Sequence, residues 1–234
     1  CEGDSKTFTI TVNPTAQVNQ PLDQILCEGE ETDYINFETT NSNGSTTYLW
    51  TNDNTNIGLA ASGSGDIPAF NVSNIISEPD TALITINPEY TYNGKTCGGS
   101  SKNIEIVVNP GAQVDQPSNQ TLCNGDASAS VIFTTTNSGG TTTFNWTNSN
   151  TSIGLAASGS GTIASFTVSN IGTTPQVATI VVTPEFDNGG NICSGSSKTF
   201  TITVNPTAQV NSITDQELCH SENTTSISFS TINT

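Results

Sequence analysis

Apolar and polar residues alternate one by one along residues 5–13, SKTFTITVN. Phe8, Ile10 and Val12 share one face, and Thr7, Thr9 and Thr11 share the other. A period of two puts successive side chains on opposite faces of a strand, so this run predicts a half-buried β-strand. The beat returns around 16–26, 34–40, 46–53, 67–73, 81–92 and 101–109. Clusters of Asn, Gly and Ser separate these runs and read as turns. No helical pattern competes. Six or seven strands, each apolar on one face, in about 100 residues describe an antiparallel β-sandwich.

The pattern repeats. SKTFTITVNPTAQVN stands at 5–19 and again at 197–211, and GLAASGSG at 58–65 and 154–161. Cys1, Cys27, Cys97, Cys123, Cys193 and Cys219 are spaced 26, 70, 26, 70 and 26 residues apart, a period of 96. The aromatic positions expected in the cores recur at that period: Phe37 with Phe133, Trp50 with Trp146, and Phe70 with Phe166. The array therefore divides into the last strand of a preceding repeat (1–13), complete repeats at 14–109 and 110–205, and the start of a truncated third repeat (206–234). The expected fold is all-β, with tandem antiparallel sandwiches in a linear array.

Composition narrows the function. Twenty-one acidic residues face four lysines, for a net charge of −17. Nucleic acid and anionic membranes are bound through clustered Lys and Arg, so neither is an expected partner. No stretch approaches the roughly 20 apolar residues of a membrane helix. Large apolar side chains are few, so each core is thin and cross-links gain weight. Six cysteines in such a chain suit an oxidising, extracellular setting.

LCEGE, YLWT, IGLAASGSGDIPAFNVSN, ALITINPEY and TCGGSSKNIEIVVNP together resemble the PKD-like and immunoglobulin-like repeats of large surface proteins of Bacteroidetes, including gliding adhesins and other cargo of type IX secretion. The resemblance spans the whole chain. It implies stalk or adhesive modules at the cell surface, not an enzyme, and supplies no catalytic residue.

The cysteines are the first candidate site. Cys27 falls at the turn after the first strand and Cys97 near the last hairpin, which an immunoglobulin topology places at opposite poles. A disulfide needs Cα atoms within about 7 Å. Three arrangements stay open: Cys27 with Cys97 inside one repeat, a clamp between repeats joining Cys27 to Cys193, or free and intermolecular thiols. Lys102 and Lys198, with Lys6, recur at 96 residues. They read as snorkelling side chains paired with Glu89 and Glu185, or as donors of Lys–Asn isopeptide bonds. Calcium is weighed at Glu28, Glu30, Glu31 and Asp33, but the second repeat has Asn124, Asp126, Ala127 and Ala129 there. No cofactor is expected from a ligand set that does not repeat. His220 is the only histidine, and its equivalents are Glu28 and Asn124, so no nucleophile has a recurring base. The glycines of GLAASGSG read as a bulge or tight crossover.

These readings converge on an extracellular stalk, fibre or filament module of a cell-surface adhesin. Its partners are neighbouring repeats, copies of itself and surface glycans. The alternative is a carbohydrate-binding module of a secreted protein, which would need Trp50 or Trp146 exposed.

Overall fold

The longest alternating run, Asp80–Tyr92, forms the central strand of a six-stranded sheet in the computed structural model, which describes residues 1–234. In chain order the strands of this sheet are β1 (Gln24–Cys27), β2 (Ser45–Asn52), β3 (Ser62–Ser64), β4 (Asp80–Tyr92), β5 (Lys95–Gly98) and β6 (Lys102–Asn109). They pair in the order β1-β6-β4-β2-β3, with β5 added to β4. A second sheet repeats that order with β7 (Gln120–Cys123), β8 (Thr141–Asn148), β9 (Ser158–Ser160), β10 (Gln176–Asn188), β11 (Asn191–Ser194) and β12 (Lys198–Asn205). The chain packs as two compact units. Unit 1 comprises Cys1–Gly111, Asn137–Thr141 and Asp187–Cys193; unit 2 comprises the remainder.

One pairing departs from the antiparallel expectation. β1 runs parallel to β6, with Gln24 opposite Ile106 and Cys27 opposite Asn109, and β7 runs parallel to β12. Parallel neighbours cannot be joined by a tight hairpin. Here the rest of the repeat serves as the crossover.

Three predicted strands are shorter than expected. Of 16–26 only Gln24–Cys27 is strand, because polar side chains take over the work of a ladder. Gln20 Nε2 donates to the Asn103 carbonyl (2.7 Å), and Asp23 accepts from the Glu105 N–H (2.8 Å). Runs 34–40 and 67–73 form the facing layer through single bridges, Glu31 with Asn71 and Ile35 with Ile67. Between these bridges the Phe70 N–H is taken by the Thr32 hydroxyl (3.1 Å).

Each unit closes its own core. In unit 1, Ile84, Ile86, Ile104, Ile106 and Val108 on β4 and β6 are fully buried against Phe37, Trp50 and Ile67. In unit 2, Ile180, Val182, Phe200, Ile202 and Val204 meet Phe133, Trp146 and Ile163. Phe70 and Phe166 are half-buried at the core margins.

Residues 1–13 and 206–234 carry no strand. Phe8 is 86% exposed, whereas Phe200 in the same sequence context is 2% exposed. Only the latter has β10 beside it.

Candidate functional site

The site is built where β1 ends. Parallel pairing sets Cys27 beside Asn109, and the Glu28 N–H donates to the Asn109 carbonyl (2.9 Å). The Cys27 N–H is capped by the Glu30 carboxylate (2.7 Å). Against this end lies the hairpin tip 187–193, which belongs to the second sequence repeat yet packs within unit 1. Asn109 Nδ2 donates to the carbonyls of Asn188 (3.2 Å) and Asn191 (3.5 Å), and Asn188 Nδ2 donates back to Asn109 Oδ1 (3.0 Å). Asn191 Nδ2 reaches the Ile25 carbonyl (2.8 Å). Asn109 is wholly buried, so its amide has three protein partners and needs no water.

Those contacts bring Cys27 and Cys193 into a disulfide, with Cα atoms 5.5 Å apart and 166 residues between them in sequence. Cys193 is 2% exposed. Cys1, Cys97, Cys123 and Cys219 are free thiols.

Two of the four carboxylates weighed for calcium, Glu28 and Glu30, are caps. Glu28 accepts from the Asn74 N–H, and its counterpart Asn124 accepts from the Asn170 N–H (2.8 Å). Asp126 accepts from the Cys123 N–H (2.8 Å), as Glu30 does from Cys27. What recurs is an oxygen acceptor, which Asn124 supplies as well as Glu28, whereas Glu30 and Asp126 both keep a carboxylate.

Register separates the lysines from their expected partners. Lys102 lies opposite Ile86 and Lys198 opposite Val182, while Glu89 lies opposite Gly98. Glu185 accepts from Asn145 Nδ2 (3.0 Å). Lys198 is exposed and Lys102 half-buried.

Both tryptophans lie in the cores, each 7% exposed. Their rings cover Gly63 and Gly159, where any Cβ would overlap the indole. The first glycine of GSG is thus needed for close approach within strands β3 and β9. The second, Gly65 or Gly161, takes the positive φ (72° and 66°). The expected bulge is a short strand followed by a left-handed turn.

Sequence reasoning missed the asparagines. Asn52 and Asn148 donate to the carbonyls of Leu59 and Leu155 (3.0 Å each) and accept from the N–H of Asn54 and Asn150. Asn74 and Asn170 tie β6 and β12 to the preceding loop by donating to the carbonyls of Val108 (2.6 Å) and Val204 (2.7 Å). The signal was available as Asn recurring every 96 residues, but the overall richness in Asn hid it.

No protein-family model and no curated protein sequence matches the chain. Among solved structures it is similar to mouse cadherin-23 repeats EC22–24, at 14% identity and a TM-score of 0.44, over 81% of this chain and 66% of that one. It is also similar to titin domains I67–I69, at 11% identity and a TM-score of 0.39, over 82% and 67%. A third is a SusE-like surface-located polysaccharide-binding protein of Bacteroides thetaiotaomicron, at 11% identity and a TM-score of 0.26, over 82% and 34%. The chain thus spans just under two thirds of the cadherin fragment. In class it is an all-β chain whose two units repeat one strand order, each facing its six-stranded sheet with a layer held by single bridges.

Proposed function

We propose that this chain is a structural module of an extracellular stalk, fibre or filament, part of a large cell-surface adhesin of the type IX-secreted kind found in Bacteroidetes. The observation that carries the reading is what recurs at 96 residues. Core aromatics, cysteines, capping asparagines and packing glycines all do, whereas Glu28, Glu31 and Asp33 give way to Asn124, Ala127 and Ala129 and the one histidine stands alone. Repetition of architecture without a repeated pairing of nucleophile and base is what selection for length produces, because a tandem array gains stability from each unit and each junction. The reading assigns no catalysis. The Cys27–Cys193 bond supports an oxidising, extracellular location.

Neighbouring repeats and copies of the chain are its partners under this reading, and surface glycans are the targets an adhesin would meet. The alternative of a carbohydrate-binding module loses the exposed tryptophans it called for. Negative-stain imaging of the native material, with its intact mass, tests the proposal. Thin filaments with a regular axial repeat are expected, and a population of discrete globular particles would overturn it.

A further inference from the structure

Cys27 and Cys193 occupy a built site with two halves, and each half occurs a second time without its mate. The strand half recurs at Cys123. Cys123 pairs in parallel with Asn205 as Cys27 does with Asn109, and the Asn124 N–H donates to the Asn205 carbonyl at 2.9 Å, as Glu28 does to Asn109. The Cys123 N–H is capped by Asp126 as that of Cys27 is by Glu30. The hairpin half recurs at Cys97 on β5. Its hairpin is already gripped by an asparagine in the same way: Asn13 Nδ2 donates to the carbonyls of Tyr92 (3.2 Å) and Lys95 (3.5 Å). Asn109 makes the equivalent bonds to Asn188 and Asn191, also at 3.2 and 3.5 Å. Cys123 is exposed and Cys97 half-buried, and both are thiols.

We propose that Cys97 and Cys123 are the two open halves of this clasp. Cys123 bonds to the hairpin cysteine of another repeat of this kind, and Cys97 bonds to the cysteine that ends a β1-type strand in another such repeat. The inference rests on the array reading only in requiring further repeats, whether in the same polypeptide or in a second copy. Each bond forms by thiol–disulfide exchange with a disulfide oxidant of the glutathione or thiol-oxidoreductase class. One protein thiolate attacks the oxidant's disulfide and expels a thiolate; the second protein thiolate then attacks the mixed disulfide and expels the other. Two protein thiols lose two electrons and two protons, and one oxidant disulfide becomes two thiols.

The test uses native polypeptide, its free thiols blocked with N-ethylmaleimide at harvest, digested without reduction and mapped by mass spectrometry. The expected result is no alkylation at Cys97 or Cys123. The Cys123 peptide is joined to a hairpin peptide of the ICSGS or TCGGS type, and the Cys97 peptide to one of the LCEG or LCNG type. Denaturing electrophoresis with and without reductant separates the sources. Unchanged mass assigns the bonds to one polypeptide, and collapse of a ladder on reduction assigns them to separate copies. Alkylated Cys97 and Cys123, or a peptide joining Cys97 to Cys27 or to Cys123 of the same repeat pair, overturns the proposal. In a C123S variant, one partner hairpin thiol per lost clasp becomes newly alkylated. Filaments whose Cys97 and Cys123 are alkylated would sink the clasp alone, and clasped cysteines in globular particles would sink the filament alone.

Discussion

Three residue positions show how little latitude the small cores leave. Gly159 lies under the Trp146 indole with no room for a Cβ, and overpacking of this kind costs about 1–3 kcal/mol. Gly159→Ala is therefore expected to lower the unfolding free energy of unit 2 by that amount and to shift Trp146 fluorescence, both readable in one denaturant titration. Asn170 is 4% exposed and its side chain donates to the carbonyls of Thr174 and Val204. Leucine there would remove both of these donors and the acceptor of the Gly172 N–H, at about 1–3 kcal/mol for each buried group left unsatisfied, so Asn170→Leu is expected to destabilise unit 2 despite its greater hydrophobicity. Tyr48 is buried where the second repeat has Phe144. Burial raises its phenol pKa above the ordinary value. A raised folded pKa means that the unfolded chain releases its proton first. Stability from this group is complete below about pH 10 and is lost as pH rises through the folded value. Tyr48→Phe should reduce the alkaline loss of unit 1 stability, measured by melting across that range.

At the scale of elements, the first halves of β6 and β12, which β1 and β7 do not reach, are covered by side chains. Lys and Pro are the usual protections for an edge strand, and their scarcity predicts an edge open to strand addition. The structure instead lays a polar segment along β12: Gln116 Nε2 donates to the Thr199 carbonyl (2.7 Å) and Asn119 Oδ1 accepts from the Thr201 N–H (2.8 Å). Gln20 and Asp23 do the same for β6. Replacing Gln116 and Asn119 together by alanine frees these backbone groups. Light scattering of the double variant should rise with time relative to the parent. An unchanged trace would mean that the segment's backbone, not its side chains, covers the edge.

At the scale of the molecule, one covalent bond reaches across 166 residues. Chain entropy alone values such a closure at up to about 5 kcal/mol, and measured disulfides typically give about 2–4. Cys27→Ser is expected to lower the melting transition of unit 1 accordingly, while Cys123→Ser, at an exposed free thiol, leaves both transitions of the isolated chain in place. Calorimetry of the two variants side by side makes the comparison. Equal effects would show that the clasp contributes nothing beyond the loss of a cysteine.

Much of this was legible along the chain, because a strand with one buried face must alternate and a repeat must keep its spacing. Ile84 and Ile86, Trp50 and Trp146, and the cysteine period are all of that kind. The amide caps were not legible, since an asparagine's role depends on which carbonyl folds up beside it. SKTFTITVN marks the boundary between the two kinds of information. At 197–205 its alternation is realised as β12, paired with β10 over a core; at 5–13 the same nine letters form no strand and leave Phe8, Ile10 and Val12 exposed. The sequence by itself determined the period, the faces and the places where chain could turn, since those are local properties of side-chain order. Which cysteine meets which, that β1 runs parallel to β6, and whether an alternating run becomes a strand were decided by the tertiary structure. Each depends on a partner far off in sequence that must supply hydrogen bonds and apolar cover.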